Sequence, residues 1–295
     1  MAPSGGRCVR GALRHFSTGS GHRSWVAAVL LSVCTVVVDT AVAPEYIYPE
    51  IFRDGAYRHT LELKYDNSVQ AAGRNDFGQL GDGTVRNRQT PVEVFVQAKQ
   101  ASAGDWHSIF LRLDGVVYAC GRNDFGQLGD GTRVTRSFPV LVTKGIMEVA
   151  GGGFHTLYLK TDGIVLASGR NEFGQLGTGN FVGANRPAAV QVMNQVVAIA
   201  AGGHHSVFLR ADGSAWAVGR NNHGQLGDRT TVDKPIPVQV MSDVRGISAK
   251  DFYSLFIMNN GSLIAAGHFD SGIKPSLTDW STLQLFTEDQ VKDIM

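Results

Sequence analysis

A nine-residue phrase, written four times at nearly constant intervals, constrains this chain more than any other feature. It reads GRNDFGQLG from Gly73 and from Gly121, GRNEFGQLG from Gly169 and GRNNHGQLG from Gly219, at intervals of 48, 48 and 50 residues. An eroded copy, GHFDSG, starts at Gly267. Self-similarity of this kind marks a repeat architecture: each unit leaves an apolar face that only a neighbouring unit covers.

A second element keeps the same phase. GDWHSIFLRLDG ends at Gly115, GGFHTLYLKTDG at Gly163, GGHHSVFLRADG at Gly213 and KDFYSLFIMNNG at Gly261, and a half-copy, GAYRHTLELKYDN, runs from Gly55 to Asn67. Asp-Gly or Asn-Gly between apolar-rich runs is a strong hairpin signal. Leu157 and Leu159 therefore belong to one strand, and Ile164 and Leu166 to the next. No amphipathic helical pattern interrupts the repeats. The 36 glycines against 9 prolines suit a chain full of tight corners. Each period predicts a small antiparallel sheet of about four strands, and stacking such sheets gives an all-β propeller.

G-R-N-x-x-G-Q-L-G alternating with G-G-x-H-[ST] at a period near fifty resembles the repeat of the regulator of chromosome condensation (RCC1-like) family, over about residues 50–270. The resemblance implies one repeat per blade. Members of that family usually close with seven blades. Here about five periods fit, and the chain starts and stops at the same phase: the ending Val291-Lys292-Asp293-Ile294-Met295 matches the stretch at Val244-Arg245-Gly246-Ile247. The expectation is a ring of about five blades, one of them split between the two ends of the chain. An open arc, or an incomplete ring, is the alternative.

The repeated polar residues read first as scaffold. Asn75, Asn123, Asn171 and Asn221, with Gln79, Gln127, Gln175 and Gln225, are amides at fixed phases, suited to satisfying loop backbone groups. His59, His107, His155 and His205 are spread one per blade. They cannot converge within the roughly 2 Å that a metal ion requires, so a hydrogen-bonded corner with the following Ser or Thr is expected. Arg74, Arg122, Arg170 and Arg220 are expected to pair with nearby acids such as Asp76, Asp124 and Glu172. Cys120, in an apolar run, reads as a small core residue.

Recognition falls to positions that vary between repeats. Trp106, Phe154, His204 and Phe252 share a phase yet differ in identity. The loops 84–90, 132–138, 180–186 and 228–234 vary as well and bring Arg133, Arg136, Arg186 and Arg229 to one rim. Aromatic and Arg side chains are frequent binding anchors, and these eight are the candidate partner-binding residues. A core role for the four aromatic-phase residues is the competing reading.

Outside the repeats, residues 1–43 form a leader. Arg7, Arg10, Arg14 and Arg23 precede an apolar run from Trp25 to Val38, and Ala41-Val42-Ala43 follows. A basic region, a short apolar run and an A-x-A site suggest a signal peptide or signal anchor. This predicts a secreted or membrane-associated protein, with membrane contact only through the leader. Pro44 fits poorly after the cleavage point, and the stretch Arg14-His15-Phe16-Ser17-Thr18-Gly19 resembles a mitochondrial presequence, so an organellar transit segment is the alternative. The propeller is assigned 44–295.

Net charge is +1 overall, and about −2 without the leader. No strong positive excess supports a phosphate grip, so no nucleic-acid partner is expected. Three cysteines, two of them in the leader, exclude an internal disulfide framework and a cysteine-rich zinc site. No nucleophile–base set and no phosphate-cradling loop is present. The expectation is a non-catalytic protein-interaction module, without cofactor or metal, binding a protein partner. The family resemblance supplies an alternative, guanine-nucleotide exchange on a small GTPase, as its founding member performs on Ran. The plant UV-B photoreceptor of the family implies clustered tryptophans at the aromatic phase, and only Trp106 is one here. A bacterial β-lactamase inhibitor sharing these repeats is a secreted example of the interaction class.

Overall fold

The computed structural model describes residues 59–181 and 185–268, and the backbone of a short strand at 284–286. The leader, the segments expected to close a split blade, and most of the eroded phrase after His268 lie outside the described residues.

Among the described residues nineteen strands form five antiparallel sheets, and there is no helix. The first sheet has three strands: β1 (His59–Leu63), β2 (Val69–Gly73) and β3 (Arg88–Phe95). The second holds β4 (Ala98–Ala103), β5 (His107–Arg112), β6 (Val117–Gly121) and β7 (Arg136–Thr143). The third holds β8 (Ile146–Gly151), β9 (His155–Lys160), β10 (Val165–Gly169) and β11 (Arg186–Met193). The fourth holds β12 (Val196–Ala201), β13 (His205–Arg210), β14 (Ala215–Gly219) and β15 (Lys234–Met241). The fifth holds β16 (Val244–Lys250), β17 (Tyr253–Met258), β18 (Leu263–Gly267) and β19 (Gln284–Phe286).

Each four-stranded sheet is a meander in chain order. The ends of β4, β8, β12 and β16, with His59 and Thr60, line a cavity of about 270 Å³ shared by all five sheets. These first strands are the inner ones, and the long fourth strands lie outside. The architecture is a β-propeller with one repeat per blade.

The hairpin turns follow from their residues. Between β5 and β6, Gly115 donates its N–H to the Arg112 carbonyl at 3.0 Å, and the Asp114 carboxylate accepts from the Val116 N–H at 3.1 Å. Gly115 sits at φ 79°, the left-handed value that closes a three-residue loop of this type. A register shift recurs at the start of each β2-, β6-, β10- and β14-type strand against its outer neighbour. Such bulges bend a strand and add twist.

The core lies between sheets. One cluster joins Leu157, Leu159, Val165 and Ala167 of the third blade to Val196, Ile199, Phe208 and Val218 of the fourth. Second strands are therefore covered on both faces: in β5 and β9 the first five residues are all buried. This differs from the alternation expected of a half-solvated strand, because each sheet has a neighbour on either side.

Candidate interaction rim

Two corners meet at one end of the second, third and fourth blades. One is the turn from the first strand to the second, bearing G-x-x-H. The other is the loop from the third strand to the fourth, which opens with G-R-N. They are tied together by backbone: the Arg122 N–H donates to the Trp106 carbonyl, Arg170 to Phe154 and Arg220 to His204, each at 2.9 Å. Gly121 at the junction has φ 106°, and a Cβ there would lie 2.5 Å from the Trp106 oxygen, so only glycine fits.

The asparagines hold the longer loop. The buried Asn123 amide donates to Asp130 Oδ1 at 3.1 Å and to the Thr132 and Val134 carbonyls, while its oxygen accepts from the Leu128 N–H at 3.0 Å. Asn75 and Asn221 repeat this set. Gln127 Oε1 accepts from the Phe125 N–H. Burial alone would raise the Asp130 carboxyl, but hydrogen bonds from Thr132, Asn123 and Arg136 hold it below its usual range.

The histidines fasten one blade to the next. His59 Nε2 lies 2.6 Å from Ser108 Oγ, His107 Nε2 2.8 Å from Thr156 Oγ1, His155 Nε2 3.0 Å from Ser206 Oγ and His205 Nε2 2.9 Å from Ser254 Oγ. Each hydroxyl donates back to the carbonyl of Gln79, Gln127, Gln175 or Gln225 in the earlier blade. With its proton so used, the hydroxyl accepts from a protonated Nε2, and that fixes the tautomer. Burial pushes His59 down to about 4 and His107, His155 and His205 down to about 3, so these imidazoles are neutral at physiological pH. Each occupies its own seam, and no group of three or more ligating side chains is gathered among the described residues.

Above this scaffold the arginines and aromatic rings form a continuous ladder. Arg74 lies 4.6 Å from the Trp106 ring centre. Arg122 lies between Phe77 at 4.9 Å and Phe154 at 5.5 Å. Arg170 lies between Phe125 at 4.9 Å and Phe154 at 5.6 Å, and Arg220 between Phe173 at 4.8 Å and Phe252 at 5.9 Å. Phe77 meets Trp106 edge-on, His204 stacks on Phe154 and tilts against Phe173, and His223 joins Phe252 to His268. Each cation–π contact of this partly exposed kind contributes about 0.5–1 kcal/mol. Arg74 and Arg122 also pair through Nε with Asp76 and Asp124, and Arg170 pairs with Glu172.

The ladder brings Trp106, Phe154, His204 and Phe252 together, each half-buried. The sequence reading passed over Phe77, Phe125, Phe173 and His223, the third residue after each arginine, because they looked like motif spacers. Their common phase was the available signal. The four loop arginines do not join the ladder. Arg136 is engaged with Asp130 at 3.2 Å. Arg186 holds the same phase in a blade where Thr178 stands at the position of that acid, and it is exposed. Arg133 and Arg229 are exposed on their loops.

Comparison with known proteins agrees with this geometry. A model of the RCC1-like domain matches residues 54–287. The chain belongs to the RCC1-like family. No curated protein sequence matches it significantly. Among solved structures, human WBSCR16 is similar with a TM-score of 0.69 at 22% identity, over 78% of this chain and 65% of that one. Yeast RCC1 (Prp20), in a structure bound to Kap60, is similar with a TM-score of 0.65 at 22% identity, over 81% of this chain and 63% of that one. A second structure of Prp20p from Saccharomyces cerevisiae, whose binding to Gsp1p and histones was characterised with it, gives 0.64 at 22%, over 78% and 64%. This chain thus spans a little under two thirds of the length of those RCC1-like propellers. At this identity the likeness establishes the fold, which fits a protein-interaction module or an exchange factor.

Proposed function

We propose that the chain is a non-catalytic interaction module whose Arg–aromatic rim binds a protein partner. The observation that carries this reading is the ladder from Arg74 to His268. Its planar side chains are already held in place, so contact with a partner costs little ordering entropy. Tyr, Trp and Arg dominate binding hot spots, and this rim concentrates Arg with Trp, Phe and His. The basic and apolar leader supports a partner met in the secretory pathway rather than in an organelle, and N-terminal sequencing of the mature protein tests that. The rim itself is tested by affinity capture with wild type and with Phe154→Ala and Arg122→Ala, followed by direct titration of each captured protein. Loss of at least tenfold in affinity in both variants is expected, with each variant still folded at the assay temperature by circular dichroism. Partners that bind both variants as well as wild type would refute the assignment.

The likeness to yeast Prp20, together with the family resemblance, favours a second reading, nucleotide exchange on a small GTPase. Release of a fluorescent guanine nucleotide from a GTPase panel checks it. Acceleration by this chain with any member would establish the activity, and a flat response throughout would remove it.

A further inference from the structure

Three of the four motif arginines are neutralised inside their own loop, and the fourth is not. Arg74, Arg122 and Arg170 each pair with the exposed acid two residues on: Asp76, Asp124 and Glu172. In the fourth blade that position is Asn222, also exposed. Arg220 makes no side-chain ion pair or hydrogen bond among the described residues. Its position is nevertheless as fixed as the others, between the rings of Phe173 and Phe252 at 4.8 and 5.9 Å.

Stacking holds a guanidinium by its flat faces and leaves the N–H donors around its edge available. In the other blades that edge goes to a carboxylate. Burial and then the charges of Arg170 and Arg220 push the neighbouring His204 down to about 4, with Glu172 acting the other way, so positive potential persists at this point of the rim.

We infer that Arg220 is a docking point for a carboxylate on an acidic peptide segment, which fills the place that Asp76, Asp124 and Glu172 fill in the other blades. The inference rests on the interaction reading of the rim and narrows it to the chemistry of the partner at one position. The internal acids are the precedent for carboxylate over phosphate: the ring-stacked motif arginine takes that group in three blades, and in two of them, at Arg122 and Arg170, it is held between two rings as Arg220 is. A planar fork meeting a planar carboxylate forms two parallel hydrogen bonds, which fixes orientation as well as attraction.

The test uses the full chain, with hexaglutamate peptide and inorganic phosphate as probes, read through the arginine Nε–Hε NMR signals. The expected result is a saturable shift of the Arg220 signal with the peptide. Asn222→Asp copies the arrangement of the neighbouring blades and so keeps the fold. It should weaken peptide binding at least tenfold. Asp124→Asn should do the converse, making the Arg122 signal respond to peptide. Peptide affinity within twofold of wild type in Asn222→Asp would overturn the inference. So would a response of Arg220 to phosphate with none to peptide. The rim reading fails by a different result, partner binding that survives Phe154→Ala, so the two failures are distinguishable.

Discussion

His107 Nε2 lies 2.8 Å from Thr156 Oγ1 across the seam between the second and third blades, and Thr156 passes its own proton on to the Gln127 carbonyl at 2.7 Å. One hydroxyl thus satisfies two buried groups from the preceding blade. Thr156→Val keeps the shape and removes both bonds. It should destabilise the fold by about 1–3 kcal/mol, the cost of orphaning buried polar groups. Urea denaturation measures this, and a loss below about 0.5 kcal/mol would show that the relay is dispensable.

Acid should weaken the propeller well before its aspartates titrate. In the unfolded chain a histidine takes up its proton near pH 6.5, whereas burial lowers the folded values to about 3 or 4 at His59, His107, His155, His204 and His205. Between those limits the unfolded state binds more protons. This stabilisation is complete above about pH 6.5 and is lost as pH falls toward 4. Glu148 opposes it, because burial raises its carboxyl from 4.5 to about 7 and the folded state then gains on acidification. The net expectation is uptake of about four protons on unfolding near pH 5. A urea midpoint that is flat between pH 7 and pH 5 would contradict it.

Gly152 lies beneath the imidazole of the next strand: a Cβ there would sit 2.2 Å from His155 Cε1 and 2.6 Å from the Gly202 oxygen. Gly152→Ala should cost about 3 kcal/mol, at the upper end for overpacking. The fifth blade supplies an internal control. At the same two phases it carries Lys250 and Tyr253, so where the imidazole is absent the glycine is absent too. The double variant Gly152→Lys/His155→Tyr should therefore be less destabilised than the sum of its single changes, which a double-mutant cycle reads directly. Simple additivity would mean that the two positions are not coupled.

Arg229 adopts φ 62° at the phase where Gly83, Gly131 and Gly179 stand at 80°, 80° and 86°. A non-glycine residue in this region carries about 1–2 kcal/mol of strain, partly offset by the chain entropy that glycine adds to the unfolded state. Arg229→Gly should stabilise the fold by about 0.5–1 kcal/mol in thermal or urea melts. Destabilisation would show instead that the Arg229 side chain makes a contact worth more than the strain.

Most of the scaffold was legible because its signals are local and written several times. Asp114-Gly115 and its equivalents announce hairpins through one turn's geometry. Asn123 and its equivalents announce a loop brace, because amides recur only where backbone groups recur. The histidines were expected to bond the Ser or Thr that follows each of them, but the hydroxyl each one meets belongs to the next repeat, about fifty residues on. That partner could not be read from the adjacent letters. The arginine–acid pairs at Arg74, Arg122 and Arg170 were legible at a separation of two residues. The rings stacked on those arginines were not, since Phe77 and Phe154, from two other blades, meet on Arg122 only after stacking. Arg136 shows the limit of reading exposure from a loop: Asp130, six residues earlier, already holds it.

The relay from His107 to Thr156 runs in one sense only, and the four described seams share its polarity. Each blade is in effect a subunit with unlike head and tail, joined covalently to similar partners. Head-to-tail contacts of that kind set no number: they close into a circle when the rotation per unit divides a full turn, and otherwise continue as an arc. Lengthening or shortening such an array by whole units leaves every seam chemically complete, so natural selection can change the size of this scaffold by duplication or deletion without redesigning a single contact.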